Sequence, residues 1–178
     1  MSLTEMKMKK FDTIAYLQKG SAVQQQAFRV LQDYQIMEKL GKFQPLLIGT
    51  VPIDIAVENS DLDIACTTLD LKGFKEEVSK QFGGFLGFTI KDTFIREEIA
   101  VVVNFTISAF QIELFCQTIP VKQQYGYRHM IKEYAILKER GEAFRQQIIR
   151  LKAQGIKTEP AFAQLLNISG DPYEGLLQ

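Results

Sequence analysis

The chain has 178 residues, the size of one compact domain, and its hydrophobic fraction of 46% and charged fraction of 24% exclude a disordered or fibrous protein. Lys and Arg together number 21, as do Asp and Glu, so no net charge attracts a long nucleic acid or an anionic membrane. No apolar run has the roughly 18 residues of a membrane span, and none follows the basic N-terminus as a signal peptide would, so we expect a cytoplasmic protein.

Two helices are predicted near the N-terminus. Ser21 and Gln24 have the spacing of a capping box, and apolar residues then recur at helical spacing over 22–40. A shorter helix is expected over 11–17, where Gly20 would end it.

Two buried strands should follow the long helix. The apolar run 44–48 stops at Gly49, and 61–67 alternates between polar and apolar residues. Alternation places Asp61 and Asp63 together on one face of the second strand and its apolar residues on the core face. Those core residues are Leu62, Ile64 and Cys66.

The middle of the chain predicts one helix and an antiparallel half of a sheet. The helix is expected over 70–82, before a pair of glycines. Strand-like runs over 85–94, 97–105 and 109–117 are joined by short polar links, which are typical of hairpins.

The last third of the chain is predicted to be helical. Apolar residues recur at helical spacing over 127–151, with a bend at Gly141. Thr158 would cap a last short helix, and the Gly-Asp-Pro sequence at 170–172 would then turn the chain out.

This order of elements predicts an α/β (α+β) fold, in which helices flank a mixed β-sheet and the C-terminal part is helical. We expect a core over residues 1–120 and a helical extension over 121–178 that packs on the same domain.

The two cysteines lie in strand-like runs and not in a C-x-x-C arrangement, so we expect buried, reduced thiols. Alternation places Cys66 and Cys116 on the core faces of their strands, opposite Asp61, Asp63 and Glu113.

The Asp-Leu-Asp sequence is the first candidate for chemistry. Residues two apart on a strand lie about 6.5 to 7 Å apart on one face, so the carboxylates of Asp61 and Asp63 could share divalent cations. A sheet edge at which both carboxylates simply face water explains the pair equally well. There is no P-loop and no Cys/His zinc spacing, and a single histidine excludes a His-rich metal site.

Residues 47–50 (Leu-Ile-Gly-Thr), ten intervening residues, and 61–64 (Asp-Leu-Asp-Ile) resemble the motif of the nucleotidyltransferase superfamily, most closely its minimal members. Segments 49–52, 60–64 and 157–162 resemble an uncharacterised bacterial family within that group. The resemblance implies a nucleotidyltransferase-like sheet. It also implies that Asp61 and Asp63 bind Mg²⁺, as one or two ions, and that Gly49 and Thr50 contact the triphosphate.

The resemblance further implies a third acid on a late antiparallel strand beside the one that carries the aspartate pair, and Glu113 is the candidate. It lies in an apolar strand-like run, on the face opposite Ile112 and Leu114. A buried glutamate needs a partner, and an ion pair with Arg96 is the alternative to a metal.

Further candidates for nucleotide binding are less constrained by the motif. Ser60 directly precedes the aspartate pair, although its loop is equally typical of a plain surface loop. Arg128 and His129 lie near a predicted helix start, where backbone amides favour anions, and Lys157 precedes another. Packing roles for His129 and solvated roles for the basic residues are the alternatives.

The resemblance therefore implies a Mg²⁺-dependent nucleotidyltransferase that moves a nucleoside monophosphate from a nucleoside triphosphate to an unidentified acceptor. One alternative is a catalytically silent relative that binds a nucleotide or a protein partner. Another is an unrelated α/β domain whose aspartate pair is solvated.

Overall fold

The computed structural model describes residues 9–95 and 98–178 and carries a five-stranded mixed sheet. The strands are β1 (Leu46–Ile48), β2 (Leu62–Thr67), β3 (Leu86–Ile95), β4 (Glu98–Ile107) and β5 (Phe110–Gln117). The α-helices are α1 (Ala22–Asp33), α2 (Ile36–Lys39), α3 (Leu71–Phe82), α4 (Tyr125–Ala153), α5 (Thr158–Leu166) and α6 (Pro172–Leu177). Short 3-10 segments span Lys9–Asp12, Ala15–Lys19, Gly41–Phe43 and Val121–Gln123.

The strands lie in the order β1-β2-β5-β4-β3, and the expected α/β fold with a mixed sheet is confirmed. β3, β4 and β5 form the antiparallel half that the hairpin links predicted. β5 then runs parallel to β2, so the expectation of an antiparallel strand beside the aspartate pair is wrong for this contact. The chain returns through α3 so that β3 runs parallel to β2, and the two hairpins that follow reverse the direction twice, which leaves β5 parallel to β2 as well.

The capping box at the start of α1 is present, and Gln24 does more than close it. Its side-chain oxygen accepts a hydrogen bond from the Ser21 amide, and its amide nitrogen donates to the carbonyl oxygens of Val51 and Pro52. The helix is thereby joined to the loop that follows β1. The helix expected over 22–40 is interrupted, because Gln35 adopts left-handed backbone angles and α2 begins after it.

A hydrophobic core lies between one face of the sheet and helices α1 to α3. Asp70 starts α3 by accepting a hydrogen bond from the Gly73 amide, and the buried side of that helix then packs on the sheet. Cys66 and Cys116, both fully buried, face this core as expected.

A second core contains residues of β1, β2 and the C-terminal helices. The long helix α4 bends at Gly141, as predicted, where φ is 79° and ψ is −171°. Such angles are accessible almost only to glycine. Beyond the bend, Phe144 packs edge-on against Phe162 of α5, whereas α6 contacts the start of α4 through Glu174 and Tyr125.

The C-terminus differs from its prediction at two points. Lys157, and not Thr158, is the N-cap residue of α5, and no side chain caps that helix. The Gly-Asp-Pro sequence does not turn the chain out, because the Asp171 side chain accepts a hydrogen bond from the Tyr173 amide and starts α6 at Pro172. The structure describes no helix with both the length and the apolar character needed to cross a bilayer, within residues 9–95 and 98–178.

Candidate active site

The three acids expected from the sequence lie on or directly before neighbouring strands, and we call them the carboxylate trio (Asp61, Asp63 and Glu113). In the parallel pairing of β2 with β5, Asp63 is the register partner of Glu113, so both side chains leave the same face of the sheet. Both line a cleft of about 340 Å³. Asp61 lies directly before β2 and is partly buried.

The electrostatics show that the carboxylate trio is a set of interacting charges. Burial, followed by the charges of Glu113 and Asp61, raises the pKa of Asp63 to about 7. Burial also raises the pKa of Glu113, with the charge of Asp61 as the second cause. Partly desolvated like charges destabilise one another, and a divalent cation between them would relieve that repulsion.

The turn after β1 approaches Asp63 closely. Gly49 has a φ of 79°, and a Cβ atom added there would collide with Oδ2 of Asp63 and lie 3.2 Å from its Cγ. Only glycine satisfies both the backbone angle and the space. Thr50 follows in the cleft wall, and its carbonyl oxygen accepts a hydrogen bond from the Ile55 amide.

Of the remaining nucleotide-binding candidates, the fold brings only His129 to the cleft lining. His129 is buried, whereas Arg128 is exposed and lies over the Tyr125 ring, 6.0 Å from its centroid. Successive residues on a helix point about 100° apart, so Arg128 and His129 cannot face the same way.

Ser60 and Lys157 also lie outside the lining of this cleft. The Ser60 hydroxyl accepts a hydrogen bond from the Val57 amide and so closes the turn before Asp61. Lys157 is exposed at the start of α5. Arg96, the alternative partner for Glu113, lies outside the described residues, as does Glu97, with which the second hairpin strand was expected to begin.

A family described as a domain of unknown function (DUF4269) matches residues 29–178. The chain belongs to this family. No curated protein matches it significantly.

Several solved structures are similar to this DUF4269 chain, and three of them follow. The Cid1 RNA terminal uridylyl transferase matches with a TM-score of 0.53 at 11% identity, over 72% of this chain and 40% of that chain. The GLD-2/RNP-8 complex matches with a TM-score of 0.51 at 12% identity, over 92% of this chain and 63% of that chain. A mutant of the Cid1 poly(U) polymerase bound to MgATP matches with a TM-score of 0.50 at 13% identity, over 97% of this chain and 53% of that chain.

At these identities the similarity shows the fold alone, and the DUF4269 chain has a nucleotidyltransferase-like fold. The chain spans between 40% and 63% of the length of these three structures.

Three charged residues on the helical side of the cleft were not predicted from the sequence. Glu133 and Glu159 line it, and Lys152 interacts electrostatically with both and with Asp63. Glu133 lies one helical turn after His129, a spacing that could have identified the pair. The approach of Lys152 and Glu159 depends on the bend in α4 and has no local sequence signal.

These helical residues have perturbed pKa values. Burial, then the charge of Glu159, raises the pKa of Glu133 to about 8, with Lys152 acting in the opposite direction. Burial lowers the pKa of Lys152 to about 8, against the attraction of Glu133, Asp63 and Glu159. The Lys152 ammonium group donates a hydrogen bond to the Ile55 carbonyl oxygen, at 2.9 Å. Lys152 therefore supplies positive charge to both acidic walls of the cleft.

Proposed function

We propose that this chain is a cytoplasmic, divalent-metal-dependent nucleotidyltransferase with the carboxylate trio as its metal ligands. The observation that carries this proposal is the register pairing of Asp63 with Glu113, on the face of the sheet that lines the cleft beside the Gly49 turn. We further propose that residues 1–120 form the catalytic core and that 121–178 are an extension packed on the same domain.

The donor set fits a hard divalent cation such as Mg²⁺. All three side chains offer carboxylate oxygens, the ligands that Mg²⁺ prefers, and one or two ions would offset their repulsion. When bound, the metal supplies charge stabilisation to the attacked α-phosphate and to the leaving pyrophosphate.

The roles of the protein's own groups follow from their positions. Backbone amides of the Gly49–Thr50 turn and the Thr50 hydroxyl would bind the triphosphate, and His129 would contact it from the opposite wall. A carboxylate oxygen of the trio would take the proton from the acceptor as it attacks in line. Ser60, Arg128 and Lys157 remain candidates for those parts of a nucleotide or acceptor that extend beyond the cleft.

The test is transfer of a labelled nucleoside monophosphate. Pure protein is incubated with each α-labelled nucleoside triphosphate, Mg²⁺ and a cell extract that supplies acceptors, and labelled products are separated. The inactive variant is Asp61→Asn with Asp63→Asn, and the control is Glu58→Gln, which removes an exposed acid from the loop before the trio.

We expect Mg²⁺-dependent labelling by the parent protein and by the control. The double variant should lose about 100-fold or more, because two metal ligands are removed and even an outer-shell partner of a ligand is worth about 10- to 100-fold. Equal labelling by the double variant would show that these aspartates are not the catalytic ligands.

A catalytically silent binding protein is the second candidate, and exposed apolar side chains favour it. Phe94 and Ile99 are register partners on the β3–β4 hairpin, and their exposures are 71% and 47%. Such side chains are typical of protein interaction sites. Mg²⁺-dependent nucleotide binding by calorimetry without transfer in any extract would favour this candidate.

A further inference from the structure

A second cluster of potential metal ligands lies on the helical wall of the cleft, and we call it the helical cluster (His129, Glu133 and Glu159). His129 and Glu133 are one turn apart on α4, and Glu159 lies in the first turn of α5. One ligand atom from each residue lies within 4.8 Å of the other two. Within the described residues, the carboxylate oxygens of Asp61, Asp63 and Glu113 do not come this close to one another as a set of three.

Burial distinguishes this cluster from acidic residues on a surface. His129 and Glu133 are each only 3% exposed, and Glu159 is partly buried. The described residues donate no hydrogen bond to the Glu133 carboxylate. Two neighbouring acids that are buried or partly buried need two compensating positive charges, and the single charge of Lys152 offsets only one of them.

The donor types select the cation. Imidazole nitrogen suits Zn²⁺, Co²⁺ and related ions, whereas Mg²⁺ prefers oxygen ligands alone. Ligands about 2.1 Å from a tetrahedral ion lie roughly 3.4 Å apart, so small side-chain rotations would close the cluster around it. Lys152 offsets one of the two carboxylate charges, so a divalent ion would supply the remaining compensation that these buried acids need.

We propose that His129, Glu133 and Glu159 bind one divalent transition-metal ion of the Zn²⁺ class, at a site separate from the carboxylate trio. The three protein ligands leave a coordination position for a ligand from the cleft, which the same residues line. The ion links α4 to α5 and therefore stabilises the helical wall. This site does not depend on nucleotidyl transfer.

The experiment uses the untagged full chain after treatment with a chelator. Co²⁺ is added and its visible absorption is followed, since the spectrum reports nitrogen and oxygen coordination directly. Zn²⁺ affinity is measured by calorimetry, and the melting temperature is recorded with and without Zn²⁺. The variants are His129→Gln, Glu133→Gln and Glu159→Gln. The matched control is Glu139→Gln, which removes an exposed acid from the same helix.

We expect one tight site for Co²⁺ or Zn²⁺ per chain in the parent, separate from any binding to the carboxylate trio, and a higher melting temperature with Zn²⁺. Each variant of the helical cluster should weaken Zn²⁺ binding by on the order of 100-fold or more, because even an outer-sphere partner of a metal ligand is worth about 10- to 100-fold. The Glu139→Gln control and Asp63→Asn should retain the parent affinity.

Three results would overturn the site. The first is a folded parent protein that binds neither ion. The second is an affinity that His129→Gln and Glu159→Gln both leave unchanged. The third is loss of binding in Asp63→Asn but not in His129→Gln, which would assign the ion to the carboxylate trio. Glu159 is partly exposed at a helix start, so Glu159→Gln decides the matter if substitution at a buried position unfolds the chain.

Discussion

Gly49→Ala is expected to damage the site through its contact with Asp63. Gly49 has a φ of 79°, so an alanine there pays a backbone penalty of about 1 to 2 kcal/mol. The new methyl group would also collide with Oδ2 of Asp63, and overpacking of this kind costs about 1 to 3 kcal/mol. The free energy of unfolding should therefore fall by roughly 2 to 5 kcal/mol.

The matched control is Gly155→Ala. Gly155 has a φ of 89°, and nothing lies within 4 Å of the position that its Cβ would occupy, so only the backbone penalty applies. At about 2 to 4 °C per kcal/mol for a chain of this size, the control should melt roughly 2 to 8 °C lower. Gly49→Ala should melt roughly 4 to 20 °C lower.

Thermal and urea unfolding, followed by circular dichroism, measure both variants. Repeating Gly49→Ala in an Asp63→Ala background removes the colliding carboxylate, so its cost should fall to that of the control. The reasoning is refuted if Gly49→Ala costs no more than Gly155→Ala, or if its excess cost persists in the Asp63→Ala background.

Three further predictions concern metal binding, the thiols and pH. Asp61→Asn with Asp63→Asn should abolish Mg²⁺ binding in calorimetry while the circular dichroism spectrum is unchanged; an unfolded variant, or one that binds Mg²⁺ normally, contradicts the assigned ligands. Cys66 and Cys116 should react slowly with iodoacetamide in the native state, because both are fully buried. Rapid labelling, measured by mass spectrometry, would show that the faces of their strands are wrongly assigned. Burial raises the pKa of Glu133 from 4.5 to about 8, so between these pH values the folded chain keeps this carboxyl protonated and the unfolded chain does not. The free energy of unfolding therefore falls as pH rises through this range. Urea unfolding in chelator should therefore show that Glu133→Gln gains stability relative to the parent between pH 5 and 8, by up to about 3 kcal/mol; parallel profiles would contradict the shift.

The sequence determined the features that depend on neighbouring residues. The capping box at Ser21, the alternation after Asp61 and the bend at Gly141 are all local patterns, and the structure has each of them. Alternation also separates Asp63 from Cys66, because successive side chains on a strand point to opposite faces.

Local patterns failed at two places where the same residues are compatible with more than one backbone conformation. Nothing in the sequence near Gln35 signals its left-handed angles, which interrupt a helix pattern that looks continuous. The last helix was missed because Gly170 and Pro172 are turn signals, yet Pro is also favoured in the first turn of a helix that an aspartate caps.

Only the tertiary structure decided which charged groups share the cleft. Asp63 and Glu113 are 50 residues apart in the chain, and the parallel register that pairs them is not encoded in either strand alone. Glu159 reaches His129 and Glu133 because α4 and α5 pack together, and Lys152 reaches Asp63 because α4 bends. The reason is physical: periodicity fixes the face on which a side chain lies, whereas the distance between two faces depends on how whole elements pack.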